Sequence, residues 1–328
     1  MFDLENLEGF KVSKDLGSYT SLIYGVPKIG KSTFAYKMFG KDCLFLAFEQ
    51  GYKALAGVMK VDITKWADLY RLNKELKKDS VKNKFKVLVI DTIDILDKLA
   101  KDYILSSNDI SDMGGLAYGK AYELKDNLIF SMLKMWQDMG YGLLFISHSK
   151  EVATTINDAE TTKFQPSVDK RTLGVVAKMC DIIAFAYLRN NKETQEEERV
   201  LYLRESLRIQ AGTRFKYMPP VVKLDSQAFN EALSEAITKQ EEENPDFMTE
   251  TKTKAIIDTK LDFNNIMENI ISLVKDKLAP NGKMDEVTRI VENHMGVGAK
   301  VTEATEKQVQ VCDIILTELQ DLVDGLNL

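Results

Sequence analysis

The chain has 328 residues, 45% of them hydrophobic and 29% charged, with a formal net charge of −6. This apolar fraction excludes wholesale disorder and a collagen-like chain, and no run approaches the roughly 18 apolar residues of a membrane-spanning helix. Cys43, Cys180 and Cys312 are scattered, with only His148 and His294 beside them, which argues against a zinc site or disulfide framework and, with an acidic N-terminus unlike a signal peptide, for a cytoplasmic setting.

In chain order, short apolar runs at 22–24, 43–48, 86–90, 142–147, 182–186 and 200–204 predict strands. Helical periodicity falls between and after them, at 32–38, 65–77, 93–105, 118–139 and 227–238. Runs rich in Val, Ile and Leu that alternate with helices imply an α/β fold with a parallel sheet buried on both faces. The polar stretch 239–254, which contains Pro245, reads as a linker. Beyond it the pattern is helical only. Ile266, Ile270, Val274 and Leu278 repeat every fourth residue, and Val309, Cys312, Leu316, Leu319 and Val323 form a second stripe. Thr305 and Gln308 have capping-box spacing just before that stripe. The expected organisation is a core at 1–240, an acidic linker at 241–254 and a small all-helical domain at 255–328.

The charge divides along the same line. Residues 1–240 hold 35 basic and 32 acidic side chains, whereas 241–328 hold 9 and 18. The acidic total therefore does not exclude a polyanionic partner for the first part.

Gly25, Val26, Pro27, Lys28, Ile29, Gly30, Lys31, Ser32 and Thr33 match the phosphate-loop pattern GxxxxGK[ST] in full. An apolar strand precedes the match and a helical pattern follows it, so backbone amides and a helix N-terminus are expected to cradle phosphates. Lys31 supplies a charge to the β- and γ-phosphates, and the Ser32 hydroxyl is a Mg²⁺ ligand in this reading. Asp91 ends the apolar run 86–90 and is the second candidate for Mg²⁺; Asp94 reads as a helix-start acid. ATP and Mg²⁺ are the expected ligands.

A AAA+ ATPase would carry Glu directly after such an Asp, and here the neighbour is Thr92. Instead Glu49 ends the run 43–48, and His148 ends the run 142–147. This set resembles the RecA/RadA superfamily, whose water-activating Glu and phosphate-sensing polar residue occupy those strand ends. The ordered segments 25–33, 48–51, Asp91 with Thr92, 119–122, 146–150, 166–172, Cys180 with Asp181, and 211–215 resemble the phage RecA-like ATPases of the Sak type. The likeness covers about residues 10–238; Lys28 stands where many relatives have Gly, and the tail from about 255 matches nothing assignable.

The resemblance implies a RecA-like core, hydrolysis of ATP with Glu49 as base and His148 as sensor, a ring or filament of identical subunits, and single-stranded DNA as partner. It places two DNA-facing loops at 106–120, with Tyr118 and Lys120, and at 149–174, with Lys150, Lys163, Lys170 and Arg171. Arg214, chosen over Arg208 and Lys216, is the candidate cation donated to a neighbouring subunit's site. The basic run from Arg71 to Lys86 reads as a solvated face. The implied activity is DNA-stimulated ATP hydrolysis in phage recombination or annealing, inside the bacterial host. Two other readings are a ring helicase or helicase loader, and an ATP-gated scaffold that recruits partners, such as a single-strand-binding protein, through the acidic helical tail.

Overall fold

In the computed structural model, residues 11–49, 52, 55–156, 159–190, 196–243, 248–250 and 262–325 are described. Gln50 and Gly51 of the resemblance, and 244–247 and 251–254 of the expected linker, lie outside them. The chain forms two compact units, residues 1–256 and 257–328.

The first unit is an α/β core built on a mostly parallel sheet. Its strands are β1 (Lys11–Ser13), β2 (Thr20–Gly25), β3 (Cys43–Ala47), β4 (Lys60–Asp62), β5 (Val87–Asp91), β6 (Gly142–Ile156), β7 (Ala159–Pro166), β8 (Ile182–Asn190), β9 (Glu197–Tyr202), β10 (Gly212–Thr213), β11 (Val221–Lys223) and β12 (Met248–Glu250). Ten of them form one sheet in the order β11-β9-β8-β2-β6-β5-β3-β4, with β10 on β8 and β7 on β6. The central run from β8 to β4 is parallel. Strand β9 pairs antiparallel with β8, and β11 antiparallel with β9, with no helix among the described residues crossing back between them, so the sheet is mostly parallel, as expected.

Among the described residues, seven α-helices accompany the sheet: α1 (Lys31–Phe39), α2 (Trp66–Leu76), α3 (Asp79–Lys84), α4 (Ile93–Ser107), α5 (Lys120–Asp138), α6 (Lys170–Met179) and α7 (Ser226–Glu243). The side chains of β2, β3 and β5 are buried throughout because helices cover both faces. One face packs Leu22, Leu88 and Phe145 against Trp66, Ile129 and Trp136; the other packs Ile23, Phe45 and Val89 against Phe34, Phe229 and Leu233. The buried Trp136 indole donates to Asn73 Oδ1 at 2.7 Å, so its polar edge is satisfied.

Three expectations change. Residues 149–166, read as part of a DNA-facing loop, are a β-hairpin: β6 runs on past the sheet and β7 returns along it, from Ser149 opposite Pro166 to Ile156 opposite Ala159. The β-branched Val152, Thr154, Thr155 and Ile156 favour strand over coil there. After a short connection at 167–169, the rest of that expected loop is the start of α6, whose first turn is capped by Asp169 accepting from Arg171 N. Finally, the polar linker contributes β12, paired in parallel with β1.

The second unit contains α8 (Phe263–Leu273), extended by a π-helical turn at Val274–Leu278, then α9 (Met284–Met295) and α10 (Val309–Asp324). Ile266, Ile270 and Leu278 pack with Val287, Val291, Cys312, Ile315 and Leu319, and the capping box of Thr305 and Gln308 forms before α10. No helix among the described residues is long and apolar enough to cross a membrane.

Candidate functional site

Gly25 ends β2 opposite His148 of β6 and Ala186 of β8. A Cβ on Gly25 would lie 2.4 Å from the Ala186 carbonyl oxygen, so the first loop glycine is needed for strand packing as well as for the loop. The loop then turns through left-handed backbone at Lys28 (φ 66°) and Gly30 (φ 115°) and delivers the N-terminus of α1. Glycine at position 30 tolerates that φ without strain.

Lys31 is buried, and its ammonium donates to the carbonyls of Gly25 at 2.8 Å and Val26 at 2.9 Å. Burial lowers its pKa, opposed by the negative charges of Asp91, Asp94 and Glu49. Ser32 Oγ donates to Asp91 Oδ2 at 2.7 Å across the tips of α1 and β5. A hydroxyl and a carboxylate side by side are the hard oxygen donors that Mg²⁺ accepts, so these two residues fit that ion.

The end of β3 is tied to the end of β5 by Phe48 N donating to the Asp91 carbonyl at 3.0 Å, which carries Glu49 beside Asp91. Glu49 Oε1 accepts from the Thr92 hydroxyl at 2.9 Å and lies 3.4 Å from His148 Nε2. His148 Nδ1 is buried without a partner among the described residues. One cavity of about 360 Å³ joins these groups, lined by Pro27, Lys28, Gly30, Lys31, Ser32, Thr33, Glu49, Tyr52, Leu55, Asp91, Thr92 and His148. Val26 and Ile29 complete the loop outside that lining; Val26 is exposed and Ile29 is buried in the core.

This continuous phosphate loop, set on a strand–helix junction with an acidic strand tip across from it, decides the family. The chain belongs to the AAA_24 family. The match, described as an AAA domain, spans residues 18–215. A protein of Bacillus subtilis (strain 168), described as SPbeta prophage-derived uncharacterized protein YorG, is 31% identical over 334 residues and covers 98% of each chain. Among solved structures, a KaiC-like protein of Pyrococcus horikoshii OT3 has a TM-score of 0.33 at 16% identity, over 58% of this chain and 80% of its own. The flagellar accessory protein FlaH of Methanocaldococcus jannaschii has a TM-score of 0.31 at 10% identity, over 57% and 77%.

Within this AAA_24 chain, the residue after Asp91 is Thr92, and the second carboxylate comes from Glu49, two residues beyond β3. Thr92 and Tyr52 are additions that sequence reading did not make. Thr92 had a signal, a hydroxyl next to a strand-ending acid; Tyr52, whose hydroxyl lies 3.5 Å from the Asp91 carbonyl, had none.

The other candidates lie elsewhere. Arg214 donates to Asp181 Oδ1 at 2.9 Å and to the Lys178 carbonyl of its own chain. Lys150 donates to the carbonyls of Ser167 and Val168, holding the base of the hairpin. Lys163 pairs with Glu205 at 2.9 Å, Arg171 with Asp126 at 2.7 Å, and Lys120 with Glu123 at 3.1 Å. Lys170 and Tyr118 are exposed, Tyr118 completely and with a left-handed φ of 55°. The first expected loop is partly anchored: Asp112 Oδ1 accepts from Gly114 N at 2.7 Å, and Met113 is buried against Ile104 and Ala121.

Proposed function

We propose that this chain is a Mg²⁺-dependent ATPase that binds single-stranded DNA and serves recombination or annealing of phage DNA in a bacterial cytoplasm. The observation that carries the ATPase half is the joining of the phosphate loop, the Ser32–Asp91 pair and the Thr92–Glu49–His148 group in one cavity. The prophage description of the Bacillus subtilis relative supports the phage setting.

Lys31 and the loop amides hold the phosphates, and Ser32 and Asp91 hold the metal, which when bound neutralises charge on the phosphate oxygens. Glu49 orients the attacking water and accepts its proton. Thr92 and His148 fix the carboxylate, which keeps the base in place before substrate arrives. Catalysis is then positioning and charge stabilisation, with no covalent enzyme intermediate. His148 stands where β6 leaves the central sheet for the hairpin, so a change at the phosphates reaches the hairpin through one strand. Exposed Tyr118 and Lys170 are the DNA contacts that this surface favours, as a stacking ring and a phosphate partner.

Steady-state ATP turnover with and without single-stranded DNA tests the reading. Turnover that is lost in K31A, and reduced about 10²-fold or more in E49Q with binding retained, is expected. Absence of turnover in the wild type rejects the ATPase; turnover indifferent to DNA, with no DNA bound at moderate salt, rejects the DNA half.

A further inference from the structure

Arg199 projects from β9 at the edge where the phosphate loop lies. It pairs with Leu188, two residues beyond the Ala186 that faces Gly25, and so stands at the same strand-tip edge of the sheet. A Cβ built on Gly30 would lie 3.8 Å from Arg199 Nη1 and 3.6 Å from Leu224 Cδ2. The guanidinium is exposed and has no partner among the described residues, unlike Arg189, Arg204 and Arg214, each hydrogen-bonded within the chain. A shallow cavity of about 340 Å³ adjoins it, lined by Glu196, Glu197, Glu198, Arg199, Lys223, Leu224 and Asp225.

Two features say what this place can hold. The first is direction. Asp91, Glu49 and His148 stand on β5, beyond β3 and on β6, all on one side of β2, whereas Arg199 and Leu224 stand on and beyond β9 and β11, on the other. A nucleotide whose terminal phosphate meets the metal ligands therefore extends its opposite end toward Arg199. The second is charge. The cavity counts four carboxylates against two cations, a lining that repels further phosphate but suits the hydroxyl and amino donors of a neutral nucleoside. The planar guanidinium and the Leu224 side chain, both within 4 Å of a Cβ built on Gly30, are groups that pack on the face of a heterocycle.

The geometry points to Arg199, with Leu224, as the seat of the nucleoside half of the bound nucleotide, acting in the same chain as the phosphate loop. This rests on the reading of that loop as an ATP site. Arg199 is thus a specificity and positioning residue, separate from the hydrolytic group around Glu49. It also gives a role to an arginine that has no side-chain partner among the described residues and lies beside a loop glycine held at a left-handed φ of 115°.

The test uses the full chain and two probes, ATP and inorganic tripolyphosphate, each titrated with Mg²⁺ by calorimetry. Tripolyphosphate engages the loop but has no nucleoside. R199A is expected to weaken ATP about tenfold and to leave tripolyphosphate within twofold of wild type, the size of loss expected for one stacked cation. R199Q keeps the length of the side chain and serves if R199A melts early; the same split is expected. Equal weakening of both probes makes Arg199 a phosphate contact and overturns the proposal, as does no change in either. A wild type that binds neither probe, with K31A indistinguishable from it, overturns the ATP reading and this inference with it.

Discussion

Burial pushes the Asp91 carboxyl above the usual carboxylate range, and the Ser32 hydrogen bond and the Lys31 charge only partly oppose it. Between the ordinary pKa near 3.9 and this raised value, the folded chain holds a proton that the unfolded chain has released. Its stability therefore falls as pH climbs through that window, and above it the ionised carboxylate is a standing cost. D91N keeps an acceptor for Ser32 Oγ and removes the charge. The nucleotide-free variant is expected to melt about 2–4 °C higher at neutral pH, while Mg²⁺-dependent turnover drops by about 10²-fold or more. A lower melting temperature would show that burial is not the dominant influence on this group. Lys28 offers a second case. At φ 66° it occupies backbone that costs a non-glycine residue about 1 kcal/mol, so K28G is expected to raise the melting temperature slightly in a scanning calorimeter without abolishing nucleotide binding. Loss of binding would instead assign the Lys28 ammonium to the phosphates.

At the scale of elements, Lys125 of α5 is the fastening between three helices. Its buried ammonium meets Asp97 of α4 at 2.5 Å, and Thr172 Oγ1 at 3.0 Å and the cap residue Asp169 of α6 at 3.2 Å. Thr172 Oγ1 also donates to Asp97 at 2.5 Å. K125A leaves Asp97 with no cation in a largely buried place and is expected to cost about 3 kcal/mol, against about 1 kcal/mol for T172V, as measured by urea unfolding. Equal, small losses would mean that water replaces the ammonium. None of this network was legible beforehand, and the reason is physical. Strands β2, β3 and β5 announce themselves because burial on both faces makes them unbroken apolar runs, and the acids that end them mark the site. Residues 151–155 of the β6–β7 hairpin are mostly exposed and 161–165 half-buried, and the stretch is rich in Lys, Glu, Thr and Gln, so its pattern reads as loop. Helix α6 begins inside that polar stretch and carries Gly174. Strands β4, β10 and β12 are two or three residues long, shorter than any periodicity can register. Arg199 was missed because its meaning depends on β9 lying two strands from the phosphate loop, a fact of topology.

For the whole molecule, the place where the acidic tail starts matters to any experiment that removes it. Residues 257–328 carry seven basic and thirteen acidic side chains, net −6, so residues 1–256 are left without net charge. Between position 241 and that boundary lie β12, paired with β1, and Glu241 and Glu243, which meet Lys14 at 3.5 Å and Lys216 at 2.7 Å. A cut at 240 strips β1 of its only sheet partner among the described residues, whereas a cut at 256 keeps it. Deletion of 257–328 is therefore expected to leave the melting of the first unit within about 2 °C of the full chain, and deletion of 241–328 to lower it by about 5 °C, which corresponds to roughly 1–2 kcal/mol in a unit this size. The milder deletion removes the acidic tail without disturbing β1. If the tail competes with DNA for the same basic groups, removing it raises affinity for a labelled oligonucleotide most at 50 mM salt. That gain shrinks as the Debye length falls toward about 8 Å at physiological ionic strength. Anisotropy titrations at two salt concentrations decide it: an unchanged affinity with an unchanged salt slope means that the helical unit does not compete for the core's basic groups.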